Sequence, residues 1–186
     1  MVGYLGSEVR EARERVKVAL KNSGHVLPAR CINVNLSPAN IRKSGTSFDL
    51  PMAIGLLTSL EKIEAPRLDD TLVIGELGLD GEIRGVRGIL PITRQASAAG
   101  IRRIMLPASN VAEAALVPGI KVIGVSTLKE AVEYLTCAPG EEDRIISPAE
   151  HVDVSSFMTD DAAGSGDFAD IRGQSALKRA AMVAAG

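Results

Sequence analysis

The run Lys43-Ser44-Gly45-Thr46-Ser47-Phe48-Asp49-Leu50-Pro51 brings a serine from a glycine-containing turn to the start of a helix. Gly45 admits backbone angles closed to other residues, and the first turn of a helix presents N–H groups able to stabilise an oxyanion or a capping oxygen. Ser47 is therefore a candidate nucleophile, provided that a base stands beside it. A lysine serves when burial lowers its pKa towards neutrality. No lysine occurs between Lys62 and Lys121, where the chain carries Arg84, Arg87 and Arg94 instead. A guanidinium stays protonated near neutral pH, so none of these is a general base. Loss of a base alone removes roughly 10² to 10⁴ in rate. The residues themselves favour a plainer role, in which Ser47 or Asp49 caps a buried helix for about 1 kcal/mol.

Other groups able to do chemistry are sparse. Asp49 and Glu76 would make a carboxylate pair if they met, but Asp49 fits the positive end of a helix and Glu76 lies in a hairpin, where it is expected to face solvent. Arg102-Arg103 begins a strand beside a glycine and reads as a solvated edge, with phosphate contact as the lesser reading. No G-x-x-x-x-G-K-[ST] loop is present, so the chain is not expected to hydrolyse ATP alone. Two histidines, His25 and His151, and two cysteines, Cys31 and Cys137, show no zinc-site spacing, and no metal site is expected. Both cysteines are expected to be reduced thiols.

The elements that must position these residues are set by periodicity. Residues 7–23 have Val9, Ala12, Val16, Ala19 and Leu20 at helical spacing, with Ser7 as the expected cap. Residues 30–36 alternate apolar with polar and predict a half-buried strand. Residues 50–60 are apolar around most of the helix circumference and predict a central, buried helix. Asp80-Gly81 predicts a two-residue type I′ hairpin within residues 72–86. A helix over 89–99, a strand over 102–106, a short helix over 110–117 capped by Asn110 and Glu113, a strand over 122–125 and a helix begun by the Thr127–Glu130 capping box complete the pattern. Residues 1–137 thus read as a mixed α/β domain, its sheet covered by helices. Residues 138–166 turn to Pro, Glu, Asp, Ser and Gly and read as a linker. Residues 167–186, with an alanine-rich helix over 174–185, read as the opening of a second domain.

Composition bounds the function classes. With 46% hydrophobic residues the chain builds a core, and 21 basic against 23 acidic residues leave a net charge of -2, so no bulk field recruits nucleic acid or membrane. Only 3% aromatic residues, with no Trp, disfavour a stacking platform for single strands. The start Met1-Val2-Gly3-Tyr4-Leu5 is not a positively charged region followed by an apolar stretch, no run approaches membrane-spanning length, and the expected location is the cytoplasm.

Several ordered motifs together carry a resemblance. They are Arg10-Glu11-Ala12-Arg13-Glu14-Arg15-Val16 with Asn22-Ser23-Gly24, Asn35-Leu36-Ser37-Pro38-Ala39, Phe48-Asp49-Leu50-Pro51-Met52-Ala53-Ile54-Gly55, Gly75-Glu76-Leu77 with Leu79-Asp80-Gly81, Arg87-Gly88-Ile89-Leu90-Pro91, Leu106-Pro107-Ala108 and Glu113-Ala114-Ala115-Leu116-Val117. Over nearly its full length the chain resembles the magnesium-chelatase-like AAA+ ATPase family of the competence protein ComM type. The resemblance implies that residues 1–137 are similar to the proteolytic domain of Lon proteases, on the fold shared with the second domain of a small-subunit ribosomal protein. Ser47 would then stand at the nucleophile position, and the catalytic lysine position would fall near Leu90, which takes no proton. The tail from Asp167 looks like the start of the AAA+ module, which implies Ile171 and Gly173 as nucleotide neighbours in the intact protein.

The function expected of such a chain is that of a non-catalytic assembly or substrate-handling domain. The resemblance implies a full-length ring-forming motor that uses ATP and magnesium and acts on DNA in recombination or natural transformation. Its own AAA+ module and other copies of itself would be its partners, with DNA as a further partner and no membrane. The family usually begins with strands before the Val2-Gly3 position, so both ends look truncated. The rival readings are a Lon-like serine protease drawing a base from Lys43 or Lys62, a magnesium-insertion subunit of tetrapyrrole synthesis, and a stand-alone nucleic-acid-binding module.

Overall fold

The computed structural model describes residues 6–29, 31–38, 40, 43, 45–152 and 173–185. They fall in two compact units divided between Val152 and Asp153.

The first unit is built around a parallel sheet of order β1-β4-β5, formed by Thr71–Val73, Arg103–Pro107 and Lys121–Val125. Leu72 pairs with Ile104, and Ile104 with Val122, so consecutive residues point to opposite faces in step. Val73, Met105, Ile123 and Val125 face one way, against α1 (Ser7–Asn22), α2 (Asp49–Ser59) and α5 (Leu128–Thr136), where Val16, Leu20, Leu50, Ile54, Leu57 and Leu135 complete the main core. Ile74, Ile104, Leu106 and Val122 face the other way, against Ile89 of α3 (Ile89–Ala98) and Ala114 of α4 (Val111–Ala114). Helices on both faces bury the sheet, which is why β4 reads as an unbroken apolar run rather than an alternation. The mixed α/β reading holds. Among the described residues, no helix is long and apolar enough to cross a membrane.

Local differences from the periodicity have physical causes. The segment 31–36 does alternate, with Ile32, Val34 and Leu36 half-buried and Cys31, Asn33 and Asn35 exposed, but among the described residues its pairing is limited to a single bridge at Asn35 and no ladder forms. Its pattern reports which side is apolar, whereas a strand also requires a hydrogen-bonding neighbour. The hairpin is present, with β2 (Glu76–Leu77) antiparallel to β3 (Ile83–Arg84), but its loop is longer than two residues. Gly78 N–H donates to Glu82 O at 2.8 Å, Gly81 N–H to Gly78 O at 3.1 Å, and only Gly81 takes positive φ, at 89°. Asp80 instead accepts from Glu82 N–H at 3.1 Å, which fixes a three-residue loop. Leu72 belongs to β1 of the other sheet, not to the hairpin.

The caps differ likewise. Gly6, not Ser7, is the N-cap of α1, and its N–H donates to Lys43 O at 2.8 Å. Asn110 and Glu113 reach across to neighbouring segments: Asn110 brackets Val86 through N–H and C=O bonds of 2.9 Å each, and Glu113 accepts from Leu90 N–H at 2.8 Å. The Thr127 box caps as expected, with Glu130 N–H donating to Thr127 Oγ1 at 3.2 Å.

Residues 138–152, read from composition as linker, attach to the first unit through α6 (Glu142–Ile145) and a bridge from Ala149 to Val122. Their anchor is Arg67, which is only 7% exposed and donates to Cys137 O at 2.7 Å, Ala138 O at 2.9 Å and Glu142 Oε1 at 3.0 Å. It thereby satisfies carbonyls at the C-terminal end of α5, where a cation is also favoured by the helix dipole. Glu142's own backbone N–H, and then Arg67, hold its carboxyl at about 2. Because this folded value lies below the ordinary glutamate value of about 4.3, the stabilisation is present above that ordinary value and is lost as pH falls through about 2. An NMR titration of the Glu142 side chain should show the low midpoint, and Arg67→Ala should return it towards the ordinary range. A wild-type midpoint already in that range would contradict the clamp.

The second unit contains α7 (Ser175–Ala185), preceded by Gly173 with φ 79°. Leu177, Met182 and Val183 of this helix are exposed.

Candidate functional site

The start of α2 is held by three short connections to the sheet side. Gly45 takes φ 83°, as the turn requires, and Ser47 comes after it half-buried. Gly75 N–H donates to Ser47 O at 3.1 Å, and Leu50 N–H to Gly75 O at 3.0 Å, so the turn is tied to the residue before β2. The Thr46 hydroxyl donates to the Glu76 carboxylate. Glu76 is therefore engaged and half-buried, not turned out to solvent as expected.

Neither Ser47 nor Asp49 caps the helix. Phe48 is the N-cap residue, with no side-chain cap. Asp49 is fully buried and receives a fork from α1: Arg15 Nε donates to Oδ2 at 2.8 Å and Nη2 to Oδ1 at 3.1 Å. Leu77 N–H adds a longer contact to Oδ2 at 3.4 Å. Burial pushes the Asp49 carboxyl above its ordinary value despite the opposing pull of Arg15, and the hydrogen bond to Asp49 holds Arg15 above its own. Glu76 adds a like charge to Asp49 and an opposite charge to Arg15. The carboxylates share one electrostatic neighbourhood, with Arg15 as its counterion. This cluster joins α1, α2 and the hairpin, and its geometry is that of a brace.

Arg15 was not legible as its cation. It sits one position before Val16, at the margin of the buried stripe of α1, where a guanidinium can lie along the boundary. The available signal was Asp49 itself, the single charge in the apolar run 48–57, since a buried carboxylate requires a partner.

Among the described residues, the Ser47 hydroxyl makes no hydrogen bond. Lys43, one of the two lysines considered as its base, is 7% exposed and donates its Nζ to the Pro38 carbonyl. Lys62 is exposed and lies beyond the far end of α2. The 11 residues of that helix span about 16 Å at 1.5 Å each, well past the reach of a lysine side chain. Leu90, 39% exposed, opens α3, whose Ile89 packs in the second core, while Leu50 after Ser47 packs in the first. Its contribution is the N–H bonded to Glu113, which is no base for Ser47.

Arg103 is not a free edge residue: it pairs with Asp70. Arg102 remains exposed. Gly173 is exposed before α7, and Ile171 lies outside the described residues. Among the described residues, no group of three or more His, Cys, Asp or Glu is placed to hold a metal ion.

Residues 1–110 match the family described as subunit ChlI of Mg-chelatase. The chain belongs to this family. Within the wider set of relatives, it is 42% identical over 119 residues to the uncharacterized protein YifB of Escherichia coli, covering 64% of this chain and 23% of YifB. It is 35% identical over 185 residues to the competence protein ComM of Haemophilus influenzae, covering all of this chain and 35% of ComM. A more distant similarity, 28% over 134 residues, links it to Lon protease 2 of Bacillus subtilis, covering 70% of this chain and 23% of that protease. The chain thus spans about a third of the length of its ComM relative. Similarity to both ComM and Lon fits a ChlI-family chain built as a mixed α/β domain.

Proposed function

We propose that this chain is a non-catalytic, Lon-like assembly or substrate-handling domain of a ComM-type AAA+ ATPase. The observation that carries the reading is the isolation of Ser47: its hydroxyl has no partner among the described residues, and the nearest lysine in sequence, Lys43, is committed to a carbonyl. A Ser–Lys mechanism needs base and nucleophile within hydrogen-bond reach. In place of a catalytic pair the turn has Arg15, Asp49 and Glu76, which fix α1, α2 and the hairpin to one another. Such a brace suits a domain that transmits or resists force, not one that performs acyl transfer.

In this reading the activity of the full-length protein is ATP hydrolysis coupled to DNA, with a ring of identical subunits as the working assembly in the cytoplasm. ATP and magnesium belong to the AAA+ module, for which residues 167–186 form the approach. Ile171 and Gly173 border the nucleotide there. Similarity over the whole chain to a protein named for competence supports natural transformation or recombination as the process. Purified full-length protein is expected to hydrolyse ATP faster with DNA present and to exchange strands. Absence of both activities would overturn the assignment.

A further inference from the structure

Past the Arg67 clamp, which grips the chain at Cys137, Ala138 and Glu142, attachment to the first unit becomes slight. None of residues 143–152 is buried: Ile145, Ile146, Pro148, Ala149 and Val152 are half-buried, and the others are exposed. Among the described residues their polar links to the rest of the unit are sparse. Lys121 Nζ donates to Asp143 Oδ1 at 2.7 Å in an exposed pair, and Ala149 N–H donates to Val122 O at 3.0 Å. Val152 N–H and His151 Nδ1 both meet Ala115 O, at 3.0 Å and 2.8 Å. Ile145 and Ile146 pack at the margin of the main core and Ala149 at that of the second, so the segment crosses the outer edge of β5 from one face of the sheet to the other.

We infer that residues 143–152 are a releasable strap, which opens from the edge of β5 as one cooperative piece while the rest of the first unit stays folded and the Arg67 clamp acts as the stop. The free energy of a local opening follows buried apolar contact and bonded backbone, and this segment has little of either. The Lys121–Asp143 pair adds little at an exposed site. Because the strap is the last stretch of the first unit before the division at Val152 and Asp153, a displacement of the chain beyond Val152 loads it first. Once extended, residues 143–152 span at most about 35 Å, slack gained without disturbing β4 or the Arg15–Asp49 brace. Opening also uncovers Val122 O at an edge that the closed strap shields from pairing with other chains. The device is independent of whether the full-length protein acts on DNA.

The test is native-state hydrogen exchange of the 186-residue chain, with limited trypsin digestion as a second readout. The N–H groups of Ala149 and Val152 should exchange through one shared opening, about a hundredfold or more faster than Ile123 N–H in the sheet, while Leu135 N–H in α5, ahead of the clamp, keeps its protection. Arg144 is the sole basic residue between Lys129 and Arg172, so cleavage after it reports the strap, since a folded segment is cut only when it opens. Ala149→Pro deletes the N–H bonded to Val122 O. It should speed both Val152 exchange and cleavage after Arg144 by the same factor, roughly tenfold, and leave Ile123 unchanged. Equal protection of Val152 and Ile123 in the wild type overturns the inference, because the segment then opens only with the whole unit. So does an Ala149→Pro variant that leaves Val152 exchange and Arg144 cleavage unchanged, or one that strips protection from Ile123.

Discussion

Arg15→Ala is expected to destabilise the first unit by about 3 kcal/mol, because it leaves the Asp49 carboxylate buried without its counterion. For a chain of this size that corresponds to a fall in Tm of roughly 6–12 °C. The cost comes less from the lost attraction than from the charge left behind, since Asp49 is fully buried and Leu77 N–H offers it only a contact of 3.4 Å. Pairing Arg15→Met with Asp49→Leu should therefore recover most of the loss, because two apolar groups no longer need each other's charge. Thermal unfolding of the two single variants and the double variant gives the coupling directly. A single-variant loss below about 0.5 kcal/mol, the scale of an exposed pair, would show that the brace does not hold.

Arg67→Ala should cost about 3–5 kcal/mol, a large part of the 5–15 kcal/mol typical of a domain. One buried side chain bonds Cys137 O and Ala138 O, pairs with Glu142 and reaches Tyr134 O and Leu135 O at 3.5 Å, so its removal strands acceptors that α5 cannot satisfy itself. Arg67→Lys should be nearly as damaging, since an ammonium cannot fork across those positions. Urea denaturation should show the loss, and hydrogen exchange should place it first in residues 137–149. Equal protection of that segment in wild type and Arg67→Ala would contradict the clamp.

These two arginines mark where the sequence stopped being legible. Helices and strands of the first unit are set by periodicity, because burying one face dictates spacing, as Val16 and Leu20 show in α1 and the continuous apolar run shows in β4. Long-range polar contacts have no period. Arg15 meets Asp49 across 34 positions and Arg67 meets Glu142 across 75, so neither pair announces itself in a local window. The same limit explains the misplaced caps: Asn110 and Glu113 have the right types and spacing to cap their own helix, yet Val86 and Leu90 compete for the same oxygens and win. Segment 31–36 shows the converse, since its alternation predicts a buried side correctly but says nothing about a neighbouring strand.

The serine turn was legible as a turn and as a likeness, and the lysine-free span from 63 to 120 already weighed against catalysis. The structure adds the fate of the nearest lysine, whose Nζ goes to Pro38, and the purpose of the nearest carboxylates, which serve the brace. Ser47 should therefore lack the reactivity of an activated nucleophile. Labelling of the folded chain with a fluorophosphonate probe, with mass spectrometry of the peptide containing Ser47, decides the point. The expected outcome is no modification above that of Ser47→Ala; stoichiometric labelling of Ser47, abolished in that variant, would mean that the turn is an active site after all.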